Sequence, residues 1–261
     1  HRRCEELLFQ GQSAAFGSFG TKEQIAALDR KTVSQAWEEI LHSAQFEVFV
    51  LGDCVPHEEL FVKRFAGLGK TQPLGLLKYE EPVEVHRKTE EQPLSQSKLS
   101  MGFRADFSPE EKPLFRLMAA ALGGVPSSKL FQNVREKMSL CYYCSSSMAA
   151  NSRAMFIESG VETERLQAAE AAIMDQISAL QRGELTEEEL LSAKLALQNS
   201  MRSVQDSLSA MENAYLGQVF GGHVMSPEAS AEQIMTYSRE QVTEAARRLR
   251  PAAVYTLKGG A

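Results

Sequence analysis

Apolar and polar positions change period several times along the chain, and each change predicts an element. Residues 83–88 and 95–104 alternate one by one, the period of a half-buried strand. Residues 140–147 and 153–159 read as a second strand pair. Ser108-Pro109-Glu110-Glu111 opens a helix, with a serine cap, proline at the first helical position and a glutamate closing a capping box. That helix runs to Leu122 and stops at Gly123-Gly124. Leu166, Ala169, Ile173, Ile177 and Leu180 make one helical face, ended by Gly183. Thr186 with Glu189 forms another capping box, and Leu185 can staple onto Leu190. Leu197, Met201, Val204, Leu208, Met211 and Tyr215 follow at alternating four-three spacing. The spacing admits a coiled coil, but the stripe is short and Lys194 breaks it upstream, which favours one long amphipathic helix on a sheet. Ser226-Pro227-Glu228 starts the closing helices, and residues 252–258 form the last strand. Paired strands followed by blocks of helix predict an α+β fold: a two-layer sandwich whose mostly antiparallel sheet is covered by helices on one face.

Part of the pattern occurs twice. Glu23-Gln24-Ile25 matches Glu232-Gln233-Ile234 at an offset of 209 (232 − 23), and Arg30, Val33 and Ala36 then meet Arg239, Val242 and Ala245. Ile40 falls opposite Leu249. After a three-residue slip, Val48-Phe49-Val50-Leu51 meets Val254-Tyr255-Thr256-Leu257, so each copy is expected to end helix, helix, strand. Similarity of this kind points to one structural unit used twice. The second copy is whole and the first is represented by its end. The chain also enters a helical pattern directly at His1-Arg2-Arg3-Cys4, so the rest of the first copy is expected upstream. Residues 67–73 and 78–82 read as loop and linker.

The 261 residues suffice for one large or two modest domains. A net charge of −6 argues against nucleic acid as a main partner. No apolar run is long enough to span a bilayer, so no membrane partner is expected and a cytoplasmic location is. Four cysteines (Cys4, Cys54, Cys141 and Cys144) are too few for a disulfide scaffold. Cys141-Tyr-Tyr-Cys144 has C-x-x-C spacing but lies in a β-like run. Strand positions three apart face opposite ways, which suits neither a redox pair nor a shared metal; two buried small side chains are expected. The five histidines are His1, His42, His57, His86 and His223, and none has a second histidine four positions away. A hydrolytic zinc site needs paired imidazoles on a rigid element with a carboxylate beside them, so no metal ligand and no catalytic residue is expected here.

The most distinctive block runs from Gly123 to Tyr142. It reads as a Gly-Gly turn, a helix opened by Ser127 and Ser128, then a strand. Its Gly123-Gly124 loop, Ser128-Lys129-Leu130-Phe131 helix and Arg135-Glu136-Lys137-Met138-Ser139-Leu140-Cys141-Tyr142 run resemble the pitrilysin/insulinase/processing-peptidase family of zinc metallopeptidases. The wording around Arg135 is most similar to a bacterial branch associated with elongation factor P modification. The resemblance implies that residues 1–75 are the C-terminal tail of a first half-domain and residues 82–261 a complete second, non-metal half-domain. It assigns substrate contact to Arg135 and Tyr142, with Tyr143 as the alternative phenol; such groups hydrogen-bond a substrate carbonyl or a developing oxyanion. The competing reading is a helix-end ion pair for Arg135 and a packed tyrosine. The resemblance puts any zinc in the upstream half or a partner chain, and names as partners an extended polypeptide, that upstream half and a homologous subunit. A wholly non-catalytic scaffold beside a zinc-bearing homologue is the alternative function.

Overall fold

The computed structural model describes residues 1–17, 19–53, 56–69, 79–219 and 223–260. Cys54 and residues 70–73 and 78 of the expected loop and linker lie outside them. In chain order the main elements are α1 (Arg2–Leu8), α2 (Lys22–Ala26), α3 (Arg30–Ser43), α4 (Glu58–Phe65), β1 (His86–Gln92), β2 (Ser97–Arg104), α5 (Lys112–Ala119), β3 (Cys141–Ala149), β4 (Ala154–Val161), α6 (Leu166–Gln181), α7 (Glu187–Ser203), α8 (Leu208–Val219), α9 (Pro227–Thr236), α10 (Arg239–Arg247) and β5 (Arg250–Gly259). The strands form one five-stranded sheet in the order β1-β5-β2-β4-β3. The pairings β2–β4, β2–β5 and β3–β4 are antiparallel, and β1–β5 is parallel. This is a mixed α+β fold with a mostly antiparallel sheet, as the alternation of strand pairs and helix blocks predicts.

Strand alternation decides where the core sits. Leu99, Met101 and Phe103 of β2 and Met155 and Ile157 of β4 turn to one face and are buried there beneath Phe115 and Met118 of α5, Ile173, Ile177 and Leu180 of α6, and Val242 and Ala246 of α10. Burial of each such aliphatic side chain stabilises by about 1.5–3 kcal/mol. The expected local signals are in place. Thr186 and Glu189 close a capping box at the start of α7, Ser226 caps α9, and Leu185 and Leu190 are both buried.

Four differences from the sequence pattern have physical reasons. The first strand begins at His86 rather than Val83, because its ladder with β5 opens at the His86–Ala253 pair. The far face of the sheet is not bare: Cys4, Leu8 and Phe9, on and just after α1, cover Phe156, Ala253 and Tyr255. These are the residues that alternation sends away from the main core, and they are apolar enough to hold a helix there. Residues 48–51 form no strand. A strand needs a neighbour to satisfy its N–H and C=O groups, and none of the described sheet's ladders reaches this segment. The long helix predicted through Tyr215 is broken: Ser207 is extended (φ −143°, ψ 123°), and its Oγ accepts from the Ala210 N–H at 3.3 Å. A serine that caps the next turn competes with helix continuation. Helix α7 packs mainly on α9, and beside the break lies an apolar cavity of ≈ 400 Å³ lined by Leu197, Met201, Val204, Ala214 and Ile234.

Candidate functional site

The chain's distinctive block folds so that its two singled-out side chains meet at one place. The turn at residues 120–124 packs directly on β3. A Cβ added to Gly123 would lie 2.7 Å from both the Ser146 backbone N and Leu130 Cδ1. Only glycine allows that approach, and Ser146 Oγ then donates to the Ala119 carbonyl at 2.7 Å. The wide-turned helix Leu130–Lys137 follows, held to the core by Leu130 and Val134, both fully buried. Met138 and Ser139 reverse the chain into β3; Ser139 takes a left-handed conformation (φ 52°).

Arg135 and Tyr142 line one open cleft of ≈ 300 Å³, together with Glu136, Ser139, Leu140, Cys141, Glu162 and Arg165. Arg135 lies with its guanidinium 4.4 Å from the Phe131 ring centroid and pairs loosely with Glu136 at 3.6 Å. Tyr142 is 59% exposed, so it is not the packed tyrosine of the competing reading. Its hydroxyl donates to Glu162 Oε1 over 3.4 Å, longer than a well-formed O–H···O bond. Arg165 braces the floor: Nε meets Glu162 Oε2 at 2.9 Å and Nη1 donates to the Ser139 carbonyl at 2.6 Å. The cleft therefore offers a lightly engaged guanidinium and a lightly engaged phenol at the terminal strand β3, whose ladder among the described strands is with β4 only. Tyr143 goes elsewhere. It lies over Gly160, with the Lys98 ammonium 5.1 Å from its ring, on the sheet face opposite the main core. Glu162, Arg165 and Ser139 were not singled out in sequence; the Glu162–Arg165 spacing of three is the one local signal that could have drawn attention to them.

The strand also corrects the expectation for Cys141 and Cys144. The β3–β4 register shifts between Cys141 and Tyr143, so Tyr142 is an extra residue. Cys141 and Cys144 consequently share the core face of β3, and both are buried. The Cys141 thiol is held below the ordinary thiol range by a hydrogen bond from Cys144, with the Arg135 charge acting in the same direction and burial against it. Cys144 is pushed up by the same hydrogen bond and by burial.

No group of three or more His, Cys, Asp or Glu side chains among the described residues could hold a metal ion. The histidines are scattered: His1 bonds Glu158 at 3.0 Å, His86 lies 3.7 Å from Glu84, and His57 caps α4 without a side-chain bond. These residues do not fit a catalytic zinc. No described helix is long and apolar enough to cross a membrane.

Comparison with known proteins gives a consistent result. The probable inactive metalloprotease YmfF of Bacillus subtilis (strain 168) is 24% identical over 248 residues, covering 92% of this chain and 58% of that protein. The match spans about three-fifths of the length of YmfF and of the uncharacterized zinc protease YmxG of the same organism. The crystal structure of a conserved protein from Enterococcus faecalis V583 superposes with a TM-score of 0.87 at 25% identity, covering 99% of this chain and 63% of that one. A peptidase M16 inactive domain from Pseudomonas fluorescens shares the fold with a TM-score of 0.78 at 20% identity, covering 100% of this chain and 65% of its own. Residues 27–197 match the family described as the peptidase M16 inactive domain. With its fold, its motif block and two-thirds of its length in agreement, this chain belongs to the peptidase M16 inactive-domain family.

Proposed function

We propose that this chain is the substrate-contacting, non-metal half of a peptidase-like protein, and that Arg135 and Tyr142 hydrogen-bond the backbone of an extended polypeptide. The observation that carries the reading is their convergence on one open cleft beside the terminal strand β3. A terminal strand can pair with an extended peptide, and two donors beside it can fix the peptide's register. Bond breaking, in this reading, takes place on zinc held upstream or in a partner chain, in the cytoplasm.

The helices of the tail, though not its expected strand at 48–51, support the same division. Helices α3 and α10 begin at Arg30 and Arg239, positions 209 apart as the internal repeat requires, and are capped by Asp29 and Ser238. Val33, Trp37 and Ile40 on α3 are 54%, 60% and 49% exposed, an apolar stripe suited to the sheet of a first half-domain. Binding of a fluorescent extended peptide to this chain tests the reading. Arg135→Ala is expected to weaken binding about tenfold, the loss of one charge-assisted hydrogen bond, and Tyr142→Phe by a few-fold. Unchanged affinity in both variants would sink it.

A second reading, a non-catalytic assembly partner of a zinc-bearing homologue, draws on the relative named as inactive. Zinc content and peptide cleavage by the full-length parent separate the two. One zinc per chain with chelator-sensitive cleavage excludes the scaffold.

A further inference from the structure

The Cys141-Tyr142-Tyr143-Cys144 segment has a geometry that peptide contact does not use. Cys141 is paired with Val161 and Cys144 with Ser159, partners only two residues apart. The extra residue Tyr142 is absorbed in the bulge, so the two cysteines stand at two-residue strand spacing, about 6.6 Å between Cα atoms. That lies at the upper edge of the roughly 4.4–6.8 Å that a disulfide spans. Both side chains are on one face, and both thiols are free. Cys141, 9% exposed, is among the residues lining the open cleft beside Arg135, while Cys144 sits behind it with 3% exposure.

We propose that Cys141 and Cys144 form a peroxide-oxidisable dithiol site, with Cys141 as the attacking thiol and Cys144 as the resolving one. Cys141 thiolate attacks the distal oxygen of a small hydroperoxide. An S–O bond forms, the O–O bond breaks, and the leaving alkoxide or hydroxide takes a proton. Cys144 then loses its proton to solvent base, and its sulfur displaces hydroxide from the Cys141 sulfenic acid. The S–S bond forms as the S–O bond breaks. In sum, two thiols and one hydroperoxide give one disulfide, one alcohol or water, and a further water. The assignment of roles follows access and charge: Cys141, not Cys144, is among the residues lining the cleft, and the Arg135 guanidinium favours its thiolate. Closing the ring draws in residues 141–144 and shifts Tyr142 away from Glu162. A bridge at the limit of its span is readily reduced, so the modification is reversible. An effect on peptide binding rests on the proposed function; the disulfide itself does not.

Exposure of this chain to substoichiometric hydrogen peroxide, followed by mass spectrometry, tests the site. Both cysteines fall in the tryptic peptide 138–153. That peptide is expected to lose the mass of two hydrogens and regain it with dithiothreitol, while Cys4, buried on the far face with its thiol pushed up to about 11, stays reduced. In Cys144→Ser the disulfide is lost and dimedone labels Cys141; in Cys141→Ser neither product forms. A wild-type peptide 138–153 that stays reduced while Cys4 oxidises would overturn the proposal, and so would dimedone labelling of Cys144 in Cys141→Ser. Peptide affinity that survives oxidation would count against the proposed contact role of Tyr142 and leave the redox site standing.

Discussion

Helices α3 and α10 carry closely similar apolar patterns in opposite surroundings. At aligned positions Val33 is 54% exposed and Val242 is fully buried, and Ile40 is 49% exposed and Leu249 only 2%. Both helices have an N-cap side chain that accepts from the backbone N–H at N3, at Thr32 and at Gln241. Local sequence is therefore enough to start each helix in register with the other. Burial is another matter: α10 lies over α5 and α6 above a sheet, whereas no residue of α2, α3 or α4 is buried. An amphipathic face determines that a helix has a side to hide; the fold has to supply something to hide it against.

The largest expected effect uses the aligned pair Leu249 and Ile40. Leu249→Ala should destabilise the fold by about 3 kcal/mol through lost burial and a residual cavity, and Ile40→Ala by less than about 0.5 kcal/mol. Urea midpoints measure both; equal losses would break the comparison. Gly123→Ala should cost about 1–3 kcal/mol, because its methyl would meet the Ser146 backbone and push the 120–124 turn off β3. A midpoint within error of wild type would show that the turn adjusts freely. Ser238→Ala, which removes the cap of α10, should cost about 1 kcal/mol of global stability, whereas Asp29→Ala should only fray α3 and register as lost helicity.

The Glu111–Arg248 pair gives a pH arm. Arg248 donates to both carboxylate oxygens, at 2.6 and 3.1 Å, and this hydrogen bonding, more than charge alone, holds Glu111 below the usual carboxylate range. A depressed folded value means stability that is present above the unfolded carboxylate pKa, about 4.3, and lost as the pH falls through the folded value. Solvent reaches about a third of both side chains, so the loss should be no more than about 1 kcal/mol. Glu111→Gln should flatten that part of the acid limb, and an unchanged limb would remove the pair from the account. Trp37→Ser is expected to have the smallest effect in this chain, within about 0.5 kcal/mol. Under the proposed function, the same change in a protein that also carries the upstream half should cost several times more.

Much of the stretch from residue 82 to 261 was legible in sequence for local reasons. The Ser108, Thr186 and Ser226 starts, the Gly123 and Gly183 stops and the strand pair around Arg153 depend on contacts within a few residues. The pairing of Arg135 with Tyr142 in one cleft was legible through a family motif, not through periodicity. The β3 bulge was not legible, since an extra residue in a strand shows only against its partner's register. That one residue reversed the reading of Cys141 and Cys144. The break at Ser207 was hidden too, because the apolar stripe continues across it in sequence.

Sequence alone determined where the capped helices begin, which positions are apolar and which family the chain resembles, since caps, turns and alternation act over a few bonds. Tertiary structure decided which apolar faces are covered, which two cysteines share a face and which side chains line the cleft. Those outcomes depend on ladder register and packing between segments far apart in the chain, and no local pattern encodes them.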